Sequence, residues 1–159
     1  MLTATTSAVA PDSLRASVQA ARGWLGRFPL PLIELMARVG IAAVFWRSGM
    51  NKIESFESTV MLFRDEYRVP VLPPDIAAYL ATAAELTCPI LIVLGIAARF
   101  GAASLLGMTL VIQLFVYPES WTEHLLWASI LTYILTRGPG TISVDHFIAR
   151  RFLGPDRRR

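Results

Sequence analysis

Between Ile76 and Ala98 the chain runs for 23 residues with a single charged side chain, Glu85. At a rise of about 1.5 Å per residue, a helix of that length matches a hydrocarbon layer about 30 Å thick. Three more windows, 31–50, 100–118 and 121–137, are apolar enough to do the same. They take up most of the 159 residues, 54% hydrophobic and 17% charged at a mean hydropathy of +0.50, too greasy for a soluble domain of this size. The connections around Arg99 and between Tyr117 and Trp121 are short, so the windows they join must be antiparallel neighbours. The predicted fold is all-α: an integral membrane, antiparallel four-helix bundle with an amphipathic helix at each end. Small residues at Ala97, Gly101, Ala103 and Gly107 suit close helix approach.

Three segments follow: a cytoplasmic amphipathic segment over 1–30, the membrane domain over 31–137, and a basic cytoplasmic tail over 138–159. In the first, Leu14, Val18, Ala21, Leu25 and Phe28 fall on one helical face with Arg15 and Arg22 elsewhere, a pattern suited to an anionic leaflet. The start lacks the compact apolar core of a cleavable signal peptide. After the first window, Ile53, Phe56, Val60, Phe63 and Tyr67 recur every three or four residues, predicting a surface helix ended by Pro70, Pro73 and Pro74. Near the end, Gly138-Pro139-Gly140 stops the fourth span, and Ser143 or Asp145 can cap a short tail helix.

The net charge of +3 does not point to nucleic acid, because the basic residues follow topology rather than forming a patch. Arg15, Arg22 and Arg27 precede the first span, Arg99 lies between the second and third, and Arg137, Arg150, Arg151, Arg157, Arg158 and Arg159 follow the fourth. By the positive-inside rule both termini and the Arg99 turn of this multi-pass membrane protein are cytoplasmic. A single cysteine, Cys88, leaves no intrachain disulfide, no CxxC pair and no Cys-ligated cluster, and no metal site is expected. Beside Pro89 in an apolar setting, that thiol reads as a packing residue. His124 and His146 are predicted on opposite sides, too far apart to hold one haem.

The polar residues inside the windows carry the functional signal. Glu34 and Arg38 are one turn apart and share a face. Counted from the span ends, Arg38 lies about 10 Å in from one boundary and Glu85 about 15 Å in from the other, within about 5 Å of a common depth. A lone charge in hydrocarbon costs about 2.5–3.5 kcal/mol, so Glu85 either pairs or is protonated, and Arg38 is the expected partner in a Glu34, Arg38, Glu85 group. Such a group either fixes helix register or binds something. Further out, Thr109, Gln113 and Tyr117 form a stripe, while Glu123, His124 and Trp127 open the fourth span at the level of Arg47, Asn51 and Lys52. Arg47, nine residues from Arg38, faces the other way and can snorkel to headgroups.

In order and spacing, "ARVGIAAVFWRSGMNKI", "AAELTCPILIVLGIAARFGA" and "WTEHLLWASILTYILTRGPGTISVDHF" resemble the DoxX family of small four-span bacterial membrane proteins, over about Leu32 to Phe147. Thr87, Cys88 and Pro89 stand where such proteins often have a glycine after the Glu-Leu pair. The resemblance implies a four-span inner-membrane fold and an association with redox biology, as in the DoxD subunit of thiosulfate:quinone oxidoreductase and members linked to oxidant stress. Arg38, Lys52, Glu85 and His124 match family positions. The leading expectation is a redox-associated subunit that binds a quinone or similar small ligand through Arg38, Lys52, Glu85, Gln113, His124 and Trp127, and that works with a separate catalytic protein partner. Two alternatives stay open: a non-enzymatic module for a small anion or metal-stress peptide, and a purely structural assembly subunit. A homo-oligomer suits so small a bundle, and whether the chain itself catalyses a reaction stays open.

Overall fold

The computed structural model describes residues 12–70 and 72–153, so the arginines at 157–159 and the start of the N-terminal segment lie outside the described residues. The chain divides into two units, residues 1–30 and 31–159. In the first, α1 (Asp12–Leu25) leaves Leu14, Val18 and Leu25 exposed along one stripe.

The regular elements of the second unit's described residues are all helices. Helix α2 (Leu30–Glu54) runs on through the stretch where a loop is expected to begin, so the predicted 53–67 helix starts late, as α3 (Phe56–Leu62) followed by a π-helical turn over Phe63–Tyr67. Phe56, Val60, Phe63 and Tyr67 pack on Ala77 and Ala78 at the start of α4 (Pro74–Leu94), which covers that end of the molecule, here called the loop end. Helix α4 opens on Pro74, whose fixed φ suits a first turn, and closes on Gly95 at φ 68°, where a residue with a Cβ is disfavoured. Helix α5 (Ala98–Val111) passes into a second π-helical turn, Ile112–Val116, and a short 3-10 turn leads to α6 (Trp121–Arg137). Gly138 and Gly140, both at positive φ, redirect the chain into α7 (Val144–Leu153).

Helices α2, α4, α5 and α6 share one core: Ile41 and Phe45, Cys88 and Ile92, Ala98, Ala102 and Leu105, Leu131 and Ile134. Lipid tails are as apolar as these side chains, so close packing rather than exclusion of water holds such helices together. Of the small residues singled out, Gly101 alone serves close approach, since a Cβ there would sit 3.2 Å from the Cys88 carbonyl oxygen. Gly107 has nothing within 4 Å, Ala103 is exposed, and Ala97 lies in the α4–α5 turn at φ 46°. Among the described residues, two helical stretches, Pro74–Leu94 and 98–116, are long and apolar enough to cross a membrane by length and composition. Helix α2 is longer but carries Glu34, Arg38, Arg47 and Lys52, and α6 has 17 residues. Exposed Leu80, Ile90, Leu94, Phe100, Leu110, Leu114, Leu125 and Leu126 give the helices an outward apolar surface, as a bilayer requires and water does not. The protein is a membrane protein.

The opposite end, here the tail end, is tied by the segment after α6. Ser143 caps α7, its Oγ accepting from the His146 backbone N–H at 3.2 Å. Asp145 does not cap its own helix. Its carboxylate accepts from the backbone N–H groups of Ala97 (2.9 Å) and Ala98 (3.2 Å) at the start of α5, while its own N–H donates to the Gly95 carbonyl at 2.8 Å. What reads in sequence as stop-and-start punctuation is a clamp on the α4–α5 turn.

Candidate functional site

The residues predicted to form one group separate into two polar layers. The Arg38 guanidinium, 1% exposed, donates to the carbonyl oxygens of Ile92 (3.4 Å), Val93 (3.1 Å) and Ile142. The Glu34 carboxylate accepts from the Tyr133 hydroxyl at 3.1 Å and lies against Gly140, where any Cβ would collide with it. Arg38 therefore makes no salt bridge with Glu34 or Glu85, although the Glu34 charge still acts on it. The reason is register. Gly49 packs directly on Leu86 and Glu85, and a Cβ on Gly49 would come within 2.9 Å of Leu86 Cδ2 and 3.1 Å of Glu85 Cβ. Glu85 is thus level with Gly49, about 16 Å along α2 from Arg38 at 1.5 Å per residue. Depth counted from span ends assumes flush helix ends, whereas α4 projects past α2 at the loop end to receive α3.

Glu85 instead pairs with Lys52, whose ammonium lies 3.0 Å from Oε1 and 2.8 Å from Oε2. Ser48 joins them, donating to Glu85 Oε1 at 3.2 Å and accepting from Lys52 at 2.9 Å. The side chains are 3% and 17% exposed, so the pair is nearly removed from solvent. The ammonium sits off the line a hydrogen bond to Oε2 needs, which leaves that buried oxygen with no hydrogen bond. Pro89 has no N–H to give to the carbonyl four residues earlier, that of Glu85 itself.

Beside this pair is a cavity of about 770 Å³ at the loop end, walled mainly by apolar side chains from α2, α4, α5 and α6. Lys52, Glu85, His124 and Trp127 line it, together with Ser48, Tyr67, Tyr117 and Glu123. Gln113 is held one layer back. Its amide N–H donates to the Pro118 carbonyl at 2.8 Å and its Oε1 meets His124 Nδ1 at 2.7 Å. The His124 ring also packs at 5.1 Å on Trp127, which meets Phe45 edge-on at 5.4 Å. Arg38 lies outside this cavity. Ile41, Phe45, Cys88, Ile92 and Leu105 form an apolar layer between the two polar ones. A second, smaller cavity of about 230 Å³ lies at Glu34 and Tyr133.

Sequence reasoning missed the role of the two π-helical turns. Wide turns of this kind interrupt helices often at functional sites, and here each ends at a tyrosine on the cavity rim. The Tyr67 and Tyr117 hydroxyls are 3.4 Å apart, their rings cross at 78°, and Tyr117 donates to Glu66 at 3.3 Å. Burial, with the Tyr117 hydrogen bond adding to it, pushes the Tyr67 phenol above its ordinary pKa. The π turn at 112–116 also breaks the expected Thr109, Gln113, Tyr117 stripe: Thr109 bonds back to the Leu105 carbonyl, while Gln113 and Tyr117 turn to separate partners. Among the described residues no group of three His, Cys, Asp or Glu side chains gathers as a metal site would.

An uncharacterised protein of Haemophilus influenzae is 26% identical over 126 residues, 73% of this chain and 83% of the relative. No solved structure matches. The DoxX family model matches residues 33–118, a stretch that holds Arg38, Lys52, Glu85 and Gln113 and stops short of His124 and Trp127. That stretch is more than half of the 159 residues and carries both walls of the Lys52–Glu85 pair, and the chain belongs to the DoxX family.

Proposed function

We propose that this protein is a redox-associated membrane subunit that holds a quinone, or a ring compound of similar size and polarity, in the loop-end cavity. One observation carries the reading: an apolar-walled cavity of about 770 Å³ presents isolated polar groups, the Lys52 ammonium, the Ser48 hydroxyl and the His124 ring, beside the Trp127 ring. Ligand pockets of this size are mostly apolar with a few placed polar groups that fix orientation. A quinone asks for hydrogen-bond partners at two ring oxygens and a greasy wall for the rest. With one cysteine, the chain brings no dithiol of its own, so electrons pass to or from a separate catalytic partner.

The topology that goes with this reading is a four-span bundle in a bacterial inner membrane with its tail end cytoplasmic. Arg99, Arg137, Arg150 and Arg151 gather at that end, whereas acidic Glu54, Glu57, Asp65, Glu66 and Asp75 offset the basic residues of the loop end. The small-anion alternative loses ground on charge. Lys52 is already neutralised by Glu85, Glu123 adds a second carboxylate to the lining, and Arg47 does not line the cavity. The assembly reading fits the tail-end layer, where Arg38 is spent on backbone carbonyls, but it gives no use to the cavity.

The test is a titration of the purified protein with a short-tailed benzoquinone, read by tryptophan fluorescence and thermal shift. The expected result is saturable quenching that largely disappears in Trp127→Phe. Absence of both saturable quenching and any thermal shift removes the quinone reading.

A further inference from the structure

The hydrogen bonds around His124 define what its free nitrogen can offer. The Pro118 carbonyl only accepts, so the Gln113 atom facing it at 2.8 Å must be the amide nitrogen. Gln113 Oε1, an acceptor without hydrogen, is then the atom 2.7 Å from His124 Nδ1, and Nδ1 must carry the proton. In the neutral ring the other nitrogen, Nε2, is left as a bare lone pair. Among the described residues nothing is hydrogen-bonded to it, yet it is not among their sealed unbonded atoms, which are Glu34 Oε2, Arg38 Nε and Glu85 Oε2. His124 is 4% exposed and lines the cavity, while Gln113 does not, so the Nε2 edge is the one left for a ligand.

From this geometry we infer that the cavity selects a ligand that donates a hydroxyl proton to His124 Nε2, the reduced, hydroquinone form in preference to the oxidised one, and that Gln113 is the positioning residue that enforces it. The inference rests on the quinone reading above and adds the redox state of the ligand. A quinone carbonyl set against a bare Nε2 meets two opposed lone pairs, whereas a hydroquinone hydroxyl completes a bond. An acceptor stands in the same cavity for the second hydroxyl, the Ser48 Oγ, whose own proton goes to Glu85 Oε1.

The experiment compares three short-tailed probes on the intact protein in nanodiscs at about pH 8, where an ordinary imidazole is neutral: a hydroquinone kept reduced under argon, the matching quinone, and the hydroquinone dimethyl ether. One added hydrogen bond predicts about tenfold tighter binding of the hydroquinone than of the quinone, with the ether no tighter than the quinone. Nitrogen-15 spectra of labelled histidine should show the Nδ1–H tautomer of His124 in the free protein, with Nε2 shifting when the hydroquinone binds. In Gln113→Leu the tautomer preference should relax and the hydroquinone advantage shrink toward onefold while quinone binding persists, a pattern that a merely structural role for Gln113 does not produce. Equal binding of the hydroquinone and its ether, or an Nε2–H tautomer in the wild type, overturns the inference and leaves the quinone reading standing. No binding of any probe overturns both. The tautomer measurement and the probe series need only the wild-type protein, so failure of the variant to fold does not shelter the inference.

Discussion

The two polar layers of this protein are built from the same kinds of residue and end in opposite states. At the tail end, a buried arginine and a buried glutamate are consumed by the fold: three carbonyls take up the Arg38 guanidinium, Tyr133 holds Glu34, and Gly140 lies against it. At the loop end a lysine and a glutamate pair with each other, and the pair fronts a cavity of about 770 Å³. Sealed polar atoms without a hydrogen bond occur in both layers, at Glu34 Oε2 and Arg38 Nε as at Glu85 Oε2, so an unmade bond does not separate them. Partner chemistry and volume do: the tail-end layer is fed by backbone carbonyls beside a cavity of about 230 Å³ and is construction, and the loop-end layer borders the larger cavity.

The largest effect should come from breaking the loop-end pair. Lys52→Met leaves Glu85 buried without its partner and should destabilise the protein by about 3–5 kcal/mol, seen as a lower midpoint in a detergent thermal scan. The double variant Lys52→Met/Glu85→Leu should recover most of that stability and still fail to bind a quinone. Recovery of binding along with stability would place the pair with the construction layer. Next in size, Arg38→Met strands the Ile92, Val93 and Ile142 carbonyls and should cost about 3 kcal/mol. Ligand affinity of the folded fraction should stay within about twofold of wild type, because Arg38 lies outside the cavity; a larger loss would mean the layers are coupled.

Gly140→Ala puts a Cβ into the Glu34 carboxylate at a backbone φ of 84°, and should cost about 2 kcal/mol, again without a change in affinity. Asp145→Ala removes the cap from α5 and should cost about 1 kcal/mol, measured by chemical denaturation of the purified protein. The smallest effect is one of pH. The folded protein holds the Tyr67 proton to higher pH than the unfolded chain does, so above about pH 10 it binds more protons than the unfolded state, and its stability should fall as pH rises. Tyr67→Phe should flatten that slope, which a series of thermal scans at alkaline pH measures.

Much of the membrane unit was legible because its signals are local. The window 121–137 coincides with α6, and α4 opens on Pro74, where the surface helix is expected to have ended, although it closes at Gly95, inside the expected window 76–98. Lys52, Glu85, His124 and Trp127 were singled out because polar and aromatic residues stand out against an apolar background, and all four line one cavity. The partner of Glu85 was not legible. Choosing between Arg38 and Lys52 required the stagger of α2 against α4, which the close contact at Gly49 sets. Nor were the π-helical turns that bring Tyr67 and Tyr117 to the cavity rim, since an extra residue in a turn leaves no compositional mark.

By itself, the sequence determined the class of solvent, the helical character of the apolar stretches, and the short roster of polar residues that a bilayer would not carry without a reason. These follow from hydropathy, proline and glycine, which act within a few neighbouring residues. The tertiary structure alone decided which polar residue meets which, that the roster splits into a closed layer and an open one, and that Asp145 caps a helix 47 residues away from it in the chain. Those outcomes depend on helix register and on the volume left between side chains, quantities that arise only when separate helices pack and that no single stretch of chain contains.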